Sequence, residues 1–223
     1  MLMKMATNLV EKVDRVFESA HKEGRNTLYE FEVYEILNNI GIPTPQYLVV
    51  AKPDEVDKES LSGFGKDIVV KVVSPQIAHK QKLGGVRIVK DWRQSPLKEI
   101  MVAMTEEVLS HFPRNEKPEI TGFLLVEFVQ YTPSIGNETM IGCREDGEFG
   151  PVLLVSKGGD DAEFFAKYYD PANIQLPPLS HGESLDFVNR FKVAHKLRRT
   201  GKTKYIDLIA DALTRISSLA SHY

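Results

Sequence analysis

The stretch Asp67-Ile-Val-Val-Lys-Val-Val-Ser-Pro-Gln-Ile-Ala-His-Lys-Gln-Lys-Leu-Gly-Gly85 carries more information about this chain than any other. Its first part is apolar and β-branched, which predicts a buried strand that ends at Ser74-Pro75. Lys71 interrupts the apolar run, and a lysine is costly to bury unless it is paired or directed at an anion. A polar loop follows, carries His79 and ends at the two glycines.

Each of these residues has a structural and a functional interpretation. Lys71 either lies on the solvent face of an alternating strand or clamps nucleotide phosphates as a point cation. Glycines let a backbone approach a phosphate and form an anion-binding nest, and a neutral histidine nitrogen can accept a phosphoryl group. Taken alone, however, a histidine and a lysine near Gly84 and Gly85 more often mark an exposed loop.

The composition is that of an ordinary globular protein of 223 residues, of which 42% are hydrophobic and 26% charged. The net charge of −3 argues against nucleic acid or an anionic membrane as a partner. The single cysteine, Cys143, excludes an intrachain disulfide and a Cys-based zinc site, and we interpret it as a small core residue. We find neither a signal peptide nor an apolar run of the ~20 residues that a membrane helix needs, so we expect a soluble, cytoplasmic protein.

Helical and strand periodicities predict an α+β (α/β-type) protein with an N-terminal helix within residues 1–24 and two α+β lobes, 25–115 and 116–223. The lobes meet at the proline-bounded segment 113–118. In the first lobe we expect a helix capped by Thr27, strands at 46–51, 67–73 and 86–89, and a helix capped by Ser95. In the second we expect strands at 123–129, 138–144 and 152–155, then helices at 183–191 and from Lys204 to the end.

The second lobe adds glycines and acids that could belong to a site. Gly158 and Gly159 follow a strand, as a phosphate loop does, although they do not form a Walker A motif and could equally be a turn. Glu127 and Glu138 lie on strands, where paired acids could hold ribose hydroxyls or a metal, or could simply face solvent. We expect the remaining histidines on the surface, namely His21, His111, His181, His195 and His222.

The order of these motifs resembles the ATP-grasp subunit of NDP-forming acyl-CoA synthetases, of the ADP-forming acetate–CoA ligase type and related to the succinate–CoA ligase beta subunit. The resemblance is close over residues 25–165. It rests on the blocks Leu28-Tyr-Glu-Phe-Glu, Gly41-Ile-Pro-Thr-Pro, Val69 to Lys80, Gly84-Gly-Val, Leu125-Val-Glu127, Gly136-Asn-Glu138, Phe149-Gly-Pro151, and Gly158-Gly159 with Glu163. It implies an ATP-grasp fold with the nucleotide cleft between two lobes, and ATP or ADP with Mg²⁺ as cofactors.

The resemblance also implies a phosphohistidine relay. In the family, a CoA-binding subunit or fused domain makes an acyl phosphate from acyl-CoA and phosphate. A histidine there takes the phosphate, and a second histidine on the ATP-grasp unit passes it to ADP. His79 matches that second histidine and is the expected catalytic residue. The expected nucleotide-binding residues are Lys71, Gly84, Gly85, Gly158 and Gly159 on the phosphate side, Glu127 and Val129 in the hinge strand, Glu138 near the ribose or phosphate, and Glu163.

The chain departs from the family pattern at several positions. They are Gln81 and Lys82 after the His-Lys pair, Lys157, Asp160 and Asp161 around the glycine pair, and Lys167. The later acidic-Asn-Pro block and final strand, which hold magnesium in the family, are absent. We therefore assign no metal ligands, expect a second lobe truncated at its C-terminus, and expect the isolated chain to be inactive. A non-catalytic nucleotide-binding module and a succinate–CoA ligase are the alternative functions, and either a hetero- or a homo-oligomer is compatible with the sequence.

Overall fold

The structure is a computed structural model that describes residues 7–77, 79–131, 137–159, 162–168 and 173–223, without the side chains of residues 7, 163, 165 and 166. It combines α-helices with two antiparallel sheets, which confirms the predicted fold class. Packing divides the chain into two units. Residues 12–39 and 43–130 form the unit that we call the first, and the described residues of 1–11, 40–42 and 131–223 form the second.

The first unit is built on a four-stranded sheet with the order β1-β4-β2-β3. Its elements are α1 (Thr7–Lys22, which begins in the second unit), α2 (Glu30–Asn39), β1 (Tyr47–Val50), β2 (Ile68–Val73), β3 (Val86–Val89), α3 (Leu97–Ser110) and β4 (Gly122–Glu127). Successive strand residues point to opposite faces of a sheet. Ile68, Val70 and Val72 therefore enter the core, where they join Met101 and Met104 of α3.

The structure places strand β4 in the first unit, whereas we assigned it to the second lobe. β4 lies between β1 and β2, with Val126 opposite Tyr47 and Leu124 opposite Lys71. Because a central strand needs a partner on each side to satisfy its backbone, the segment 113–118 is a linker within this unit. The division falls after Gln130 instead.

The second unit packs helices against a three-stranded sheet with the order β5-β6-β7. Its elements are β5 (Thr139–Asp146), β6 (Gly150–Lys157), α4 (Ala162–Tyr168), β7 (Ile174–Gln175), α5 (His181–Asn189), α6 (Lys192–Arg199) and α7 (Lys204–Ala220). We did not predict α4 and α6. α6 was missed because its few apolar residues, Val193, Ala194 and Leu197, stand among cations, yet all three are buried in the core.

Several local expectations need correction. Cys143 is exposed on β5 rather than buried. The hydroxyl of Ser95 does not cap α3 but donates hydrogen bonds to the carbonyls of Lys90 and Asp91 (3.0 and 3.2 Å). α2 begins at Glu30 rather than next to Thr27. The five histidines expected on the surface are exposed. Among the described residues, no helix has the length and apolar character needed to cross a membrane.

Gly122 begins β4 in close contact with β1. A Cβ atom there would lie 2.5 Å from the carbonyl oxygen of Val50 and 3.2 Å from the Cα of Ala51, and both are backbone atoms that cannot swing away. We expect Gly122→Ala to lower the free energy of unfolding by about 1–3 kcal/mol, as overpacking does, in urea denaturation. Gly147→Ala is the control, since its Cβ would meet nothing within 4 Å. An unchanged midpoint for Gly122→Ala would contradict this contact between β1 and β4.

Candidate functional site

Lys71 stands at the centre of the candidate site in the first unit. It lies on the face of β2 opposite the core that packs against α3, between Val86 of β3 and Leu124 of β4. Its ammonium group donates a hydrogen bond to Oε1 of Glu30, at 2.5 Å, and the two side chains are 22% and 31% exposed. Lys71 is therefore neither a free surface lysine nor a buried unpaired one. It is a half-buried cation held by a carboxylate.

Glu30, which the sequence analysis did not select, is the first residue of α2. The same carboxylate oxygen accepts a hydrogen bond from the hydroxyl of Tyr34, one turn further along the helix. Burial, together with that hydrogen bond, raises the pKa of Tyr34 above its ordinary value, so Tyr34 stays a neutral donor. A glutamate and a tyrosine four residues apart at a helix start are the only sequence signal for this arrangement.

His79 is exposed and directly precedes a short helical turn, Lys80–Leu83. Lys80 is half-buried, and burial lowers the pKa of its ammonium group. The charge of Glu30 opposes that effect, and the charge of Lys71 adds to it. Lys80, Lys71 and Glu30 thus form one charge cluster. His79 directly precedes Lys80, one of the two lysines of this cluster. Ala78, on the other side of His79, lies outside the described residues.

Gly84 and Gly85 close the turn that follows His79. Gly84 adopts the left-handed conformation (φ +76°), which favours glycine. The amide of Gly84 donates to the carbonyl of Gln81 (3.3 Å), and that of Gly85 donates to the carbonyl of Lys80 (2.8 Å). In this conformation both amides hold the turn together, so they do not form the open anion-binding nest that the sequence suggested. The glycines act by shaping the loop.

Glu127 is the last residue of β4, and Val129 follows the end of that strand. The carboxylate of Glu127 accepts a hydrogen bond from the amide of Gly65 (3.2 Å), while the backbone amide of Glu127 donates to the carbonyl of Gln46 (2.9 Å). The side chain of Val129 is 60% exposed. The backbone of this segment is therefore anchored, and the apolar side chain at its end is open to a ligand.

A second apolar surface lies beside Lys71 and was not found from the sequence. Val69 of β2 faces Ile88 of β3 on the sheet side that carries Lys71. Ile88 is 54% exposed, which is unusual for an isoleucine on a strand. An apolar patch next to a lysine suits a ligand with a flat ring and an anionic tail, such as a nucleotide.

The second unit brings Glu138, Gly158 and Gly159 together. The amide of Gly158 donates to the carbonyl of Glu138 (3.0 Å), and a Cβ on Gly159 would lie 3.0 Å from a carboxylate oxygen of the same glutamate. Gly159 is left-handed (φ +85°). The acid predicted near the nucleotide therefore lies over the predicted glycine loop. Glu163 lies in α4, but its side chain is outside the described residues, as are Gly136, Asp160 and Asp161.

The predicted site residues fall into one group in each unit. The first unit holds Lys71, His79, Gly84, Gly85, Glu127 and Val129, and the second holds Glu138, Gly158, Gly159 and Glu163. Lys71 on β2 and Lys80 beside His79 add two cations to the first group. Within the described part of the chain, no three His, Cys, Asp or Glu residues gather as a metal site. Because Mg²⁺ in nucleotide sites is usually held by one or two carboxylates and the phosphates, we assign it no ligand here.

Comparisons with known proteins identify the family of this fold. The sequence model of the ATP-grasp domain family matches residues 19–223. The chain is 29% identical to the acetate–CoA ligase (ADP-forming) I subunit beta of Pyrococcus furiosus, over 95% of this chain and 86% of that protein. It is 28% identical to the 4-hydroxybutyrate–CoA ligase (ADP-forming) of Nitrosopumilus maritimus over 95% of this chain, but it spans only 29% of that longer protein.

Solved structures show the same fold. A crystal structure of a protein from Pyrococcus horikoshii matches 99% of this chain and 86% of its own, with a TM-score of 0.75 and 25% identity. The dinucleotide-forming acetyl-coenzyme A synthetase 1 of Ca. Korarchaeum cryptofilum, bound to coenzyme A and Mg-AMPPCP, matches 95% of this chain and 86% of its own (TM-score 0.65, 25% identity). In that protein a phosphohistidine segment points towards the nucleotide binding site. Because the family match extends over residues 19–223 and the two-sheet fold agrees with it, the chain belongs to the ATP-grasp domain family.

Proposed function

We propose that this chain is the ATP-grasp component of an ADP-forming acyl-CoA synthetase and that it relays phosphate between a partner and ADP through His79. The observation that carries the proposal is the exposed His79 next to Lys80, whose charge is coupled to those of Lys71 and Glu30. The relatives are ADP-forming CoA ligases, and a structural neighbour has a phosphohistidine segment, which supports the same chemistry here.

The proposed relay has two transfers. In the first, a neutral ring nitrogen of His79 forms a bond to phosphorus while the bond from phosphorus to the donor on the partner breaks. In the second, a terminal phosphate oxygen of ADP forms the new bond, the N–P bond breaks, and neutral His79 is restored. A histidine that meets two reactants in turn must be accessible, and His79 is exposed.

The lysines would supply the charge that phosphoryl transfer needs. Positioning and charge neutralisation account for most of the catalysis of such transfers. Lys71 stands on a rigid strand, and Lys80 follows His79 directly, so the two ammonium groups can neutralise phosphate oxygens on either side of the transfer. Mg²⁺, when bound, would neutralise further phosphate charge.

The remaining predicted residues would bind the nucleotide. In the first unit, Val129 would contact the adenine, Glu127 would hold the hinge segment in place, and the pair Gly84-Gly85 would shape the loop. In the second unit, Glu138 and the loop of Gly158 and Gly159 would approach the ribose or the phosphates. Glu163 is the last of the proposed nucleotide-binding residues.

The proposed partner is a CoA-binding ligase subunit or fused domain, which would also set the oligomeric state. The Pyrococcus furiosus relative is a beta subunit, whereas the Nitrosopumilus maritimus relative is a single longer chain. A succinate–CoA ligase is the second candidate, because the beta subunit of that enzyme from Ignicoccus hospitalis is 28% identical over 67% of this chain. A non-catalytic nucleotide-binding module is the remaining alternative.

A turnover assay tests the function. The chain with its partner subunit, or the complete fused protein, is incubated with ATP, Mg²⁺, CoA and, in parallel, acetate, 4-hydroxybutyrate or succinate. We expect acyl-CoA, ADP and inorganic phosphate as products, with the preferred acid distinguishing the ligases. Formation of AMP and pyrophosphate would contradict an ADP-forming ligase, and ATP binding without turnover of any acid would favour the non-catalytic alternative.

Replacement of Lys71 tests the nucleotide site. We expect Lys71→Met to weaken ADP binding about 10- to 100-fold in isothermal titration, because hydrogen bonds to a charged group contribute about 1.5–3 kcal/mol. Lys22→Met is the matched control, since Lys22 is 76% exposed on α1. A dissociation constant for ADP that is equal in Lys71→Met and in the unaltered protein would reject Lys71 as a phosphate ligand.

A further inference from the structure

Glu30 is an acid that contacts Lys71, the lysine of the candidate site. It comes from α2 and Lys71 comes from β2, 41 residues apart in sequence. Within the described residues, no other carboxylate forms a hydrogen bond or a salt bridge with Lys71. The contact therefore joins the first turn of α2 to the sheet face on which an anionic ligand would lie.

The carboxylate of Glu30 is fixed from its own helix. The hydroxyl of Tyr34 donates to the same oxygen that accepts from Lys71. The ring of Tyr34 lies 5.3 Å from that of Tyr47 on β1 and packs with the sheet face formed by Val73, Leu124 and Val126. A carboxylate held in this way is a stationary acceptor rather than a mobile surface group, so it can set the position of a flexible lysine.

The cluster holds two cations and one anion. The charge of Lys71 lowers the pKa of Lys80, and the charge of Glu30, which is hydrogen-bonded to Lys71, raises it. Close like charges disfavour each other, and an opposite charge nearby offsets that effect. With Glu30 present, two ammonium groups can stand near each other on one surface and still leave a net positive charge for a polyanion.

We infer that Glu30 is a positioning residue that holds the ammonium group of Lys71 in place, so that Lys71 and Lys80 can together receive a phosphate. The inference rests on the proposed function, because the phosphate is taken to be that of the nucleotide. Glu30 itself does not touch the reacting atoms; it acts through the two lysines.

Three variants separate position from charge. Glu30→Gln removes the charge and keeps the shape, Glu30→Asp keeps the charge on a shorter side chain, and Tyr34→Phe removes only the hydroxyl that fixes the carboxylate. Glu35→Gln is the matched control, because Glu35 lies on the same helix and is exposed. ADP binding is measured by isothermal titration from about pH 7 to 11, a range that spans the ordinary lysine pKa of about 10.4 and values below it.

The expected effects on ADP binding differ between the variant that removes the charge of Glu30 and the variants that move or release its carboxylate. In Glu30→Gln, we expect ADP affinity to fall about 5- to 10-fold at neutral pH, which is the effect of losing one hydrogen bond of ordinary strength, because Glu30 acts on the ligand only through Lys71. The loss of ADP affinity at alkaline pH should also begin at a lower pH in this variant. Glu30 raises the pKa of Lys80, whereas burial and Lys71 lower it, so removing the charge of Glu30 lowers the pKa of Lys80 further. Glu30→Asp and Tyr34→Phe should weaken binding less and leave the alkaline limb in place.

A second readout needs no nucleotide. In protein whose lysines carry ¹³C-methyl groups, NMR titration should show the pKa of Lys80 falling in Glu30→Gln and unchanged in Glu35→Gln. An unchanged Lys80 titration, or tighter ADP binding by Glu30→Gln, would overturn the inference. A melting temperature that falls with no change in pH dependence would show a purely structural role and overturn it as well. Failure of the unaltered protein to bind ADP would instead overturn the proposed function.

Discussion

Replacement of His79 by alanine should abolish phosphorylation of this chain. When the chain and its partner are incubated with γ-labelled ATP and Mg²⁺, we expect acid-labile, base-stable label on the unaltered chain. In His79→Ala we expect the label on this chain to fall to background, because no nitrogen remains at that position to form the N–P bond. The label is measured after the chain has been separated from its partner, whose own histidine is also expected to be phosphorylated.

The controls for this experiment lie on the same chain. His111→Ala and His195→Ala remove other exposed histidines and should keep full labelling. ADP binding by His79→Ala should stay close to that of the unaltered chain, which shows that the acceptor and not the nucleotide site was lost. Acid-labile label that persists on His79→Ala would overturn the relay through this residue.

The largest stability loss is expected when the buried ion pair between Arg25 and Glu32 is broken. The guanidinium of Arg25 donates to both carboxylate oxygens of Glu32 (2.9 and 2.6 Å), and the two side chains are only 5% and 10% exposed. The hydrogen bond to Glu32 raises the pKa of Arg25, so the guanidinium stays charged. Arg25→Ala should lower the free energy of unfolding by about 3–5 kcal/mol, because it leaves a buried carboxylate without its cation.

Arg25 also organises the start of α2, on which Glu30 stands. It donates to the carbonyl of Thr27 (2.9 Å) and lies 3.9 Å from the ring centre of Tyr29. The amide of Tyr29 in turn donates to Glu32 (2.6 Å). This network, rather than a cap by Thr27, determines where the helix begins.

Urea denaturation of the first unit measures the effect of Arg25→Ala. The single tryptophan, Trp92, is 2% exposed in the core of this unit, so its fluorescence reports on that unit. The double variant Arg25→Met/Glu32→Leu should recover much of the loss, since apolar residues of similar size can replace a buried pair. A loss below about 1 kcal/mol in Arg25→Ala would contradict the buried character of the pair, because that is the range of exposed pairs.

Regular elements were predicted well wherever periodicity alone defines them. The apolar run of β2 and the helix α3, which follows Ser95, lie where the sequence predicts them. Prediction failed where a helix has few apolar residues, or where a strand pairs with strands that are distant in sequence. α6 carries too few apolar residues to be recognised, and the spacing along β4 does not reveal which strands lie beside it.

The same limit applies to the candidate site. Lys71 and His79 were selected from residue type and motif order, whereas Glu30 and the burial of Lys80 follow from contacts between separate elements. Local sequence carries the propensity of a segment but not the identity of the group that faces it.

The sequence by itself determined the main elements of the first unit, the order of the motifs and the family to which the chain belongs. Only the tertiary structure decided that β4 lies between β1 and β2, that the amides of Gly84 and Gly85 close their own turn, and that Lys71 is paired with Glu30. The physical reason is that backbone hydrogen bonds and ion pairs are made with whatever group the fold brings within reach. For Lys71 that group is 41 residues away, beyond the range of any local pattern.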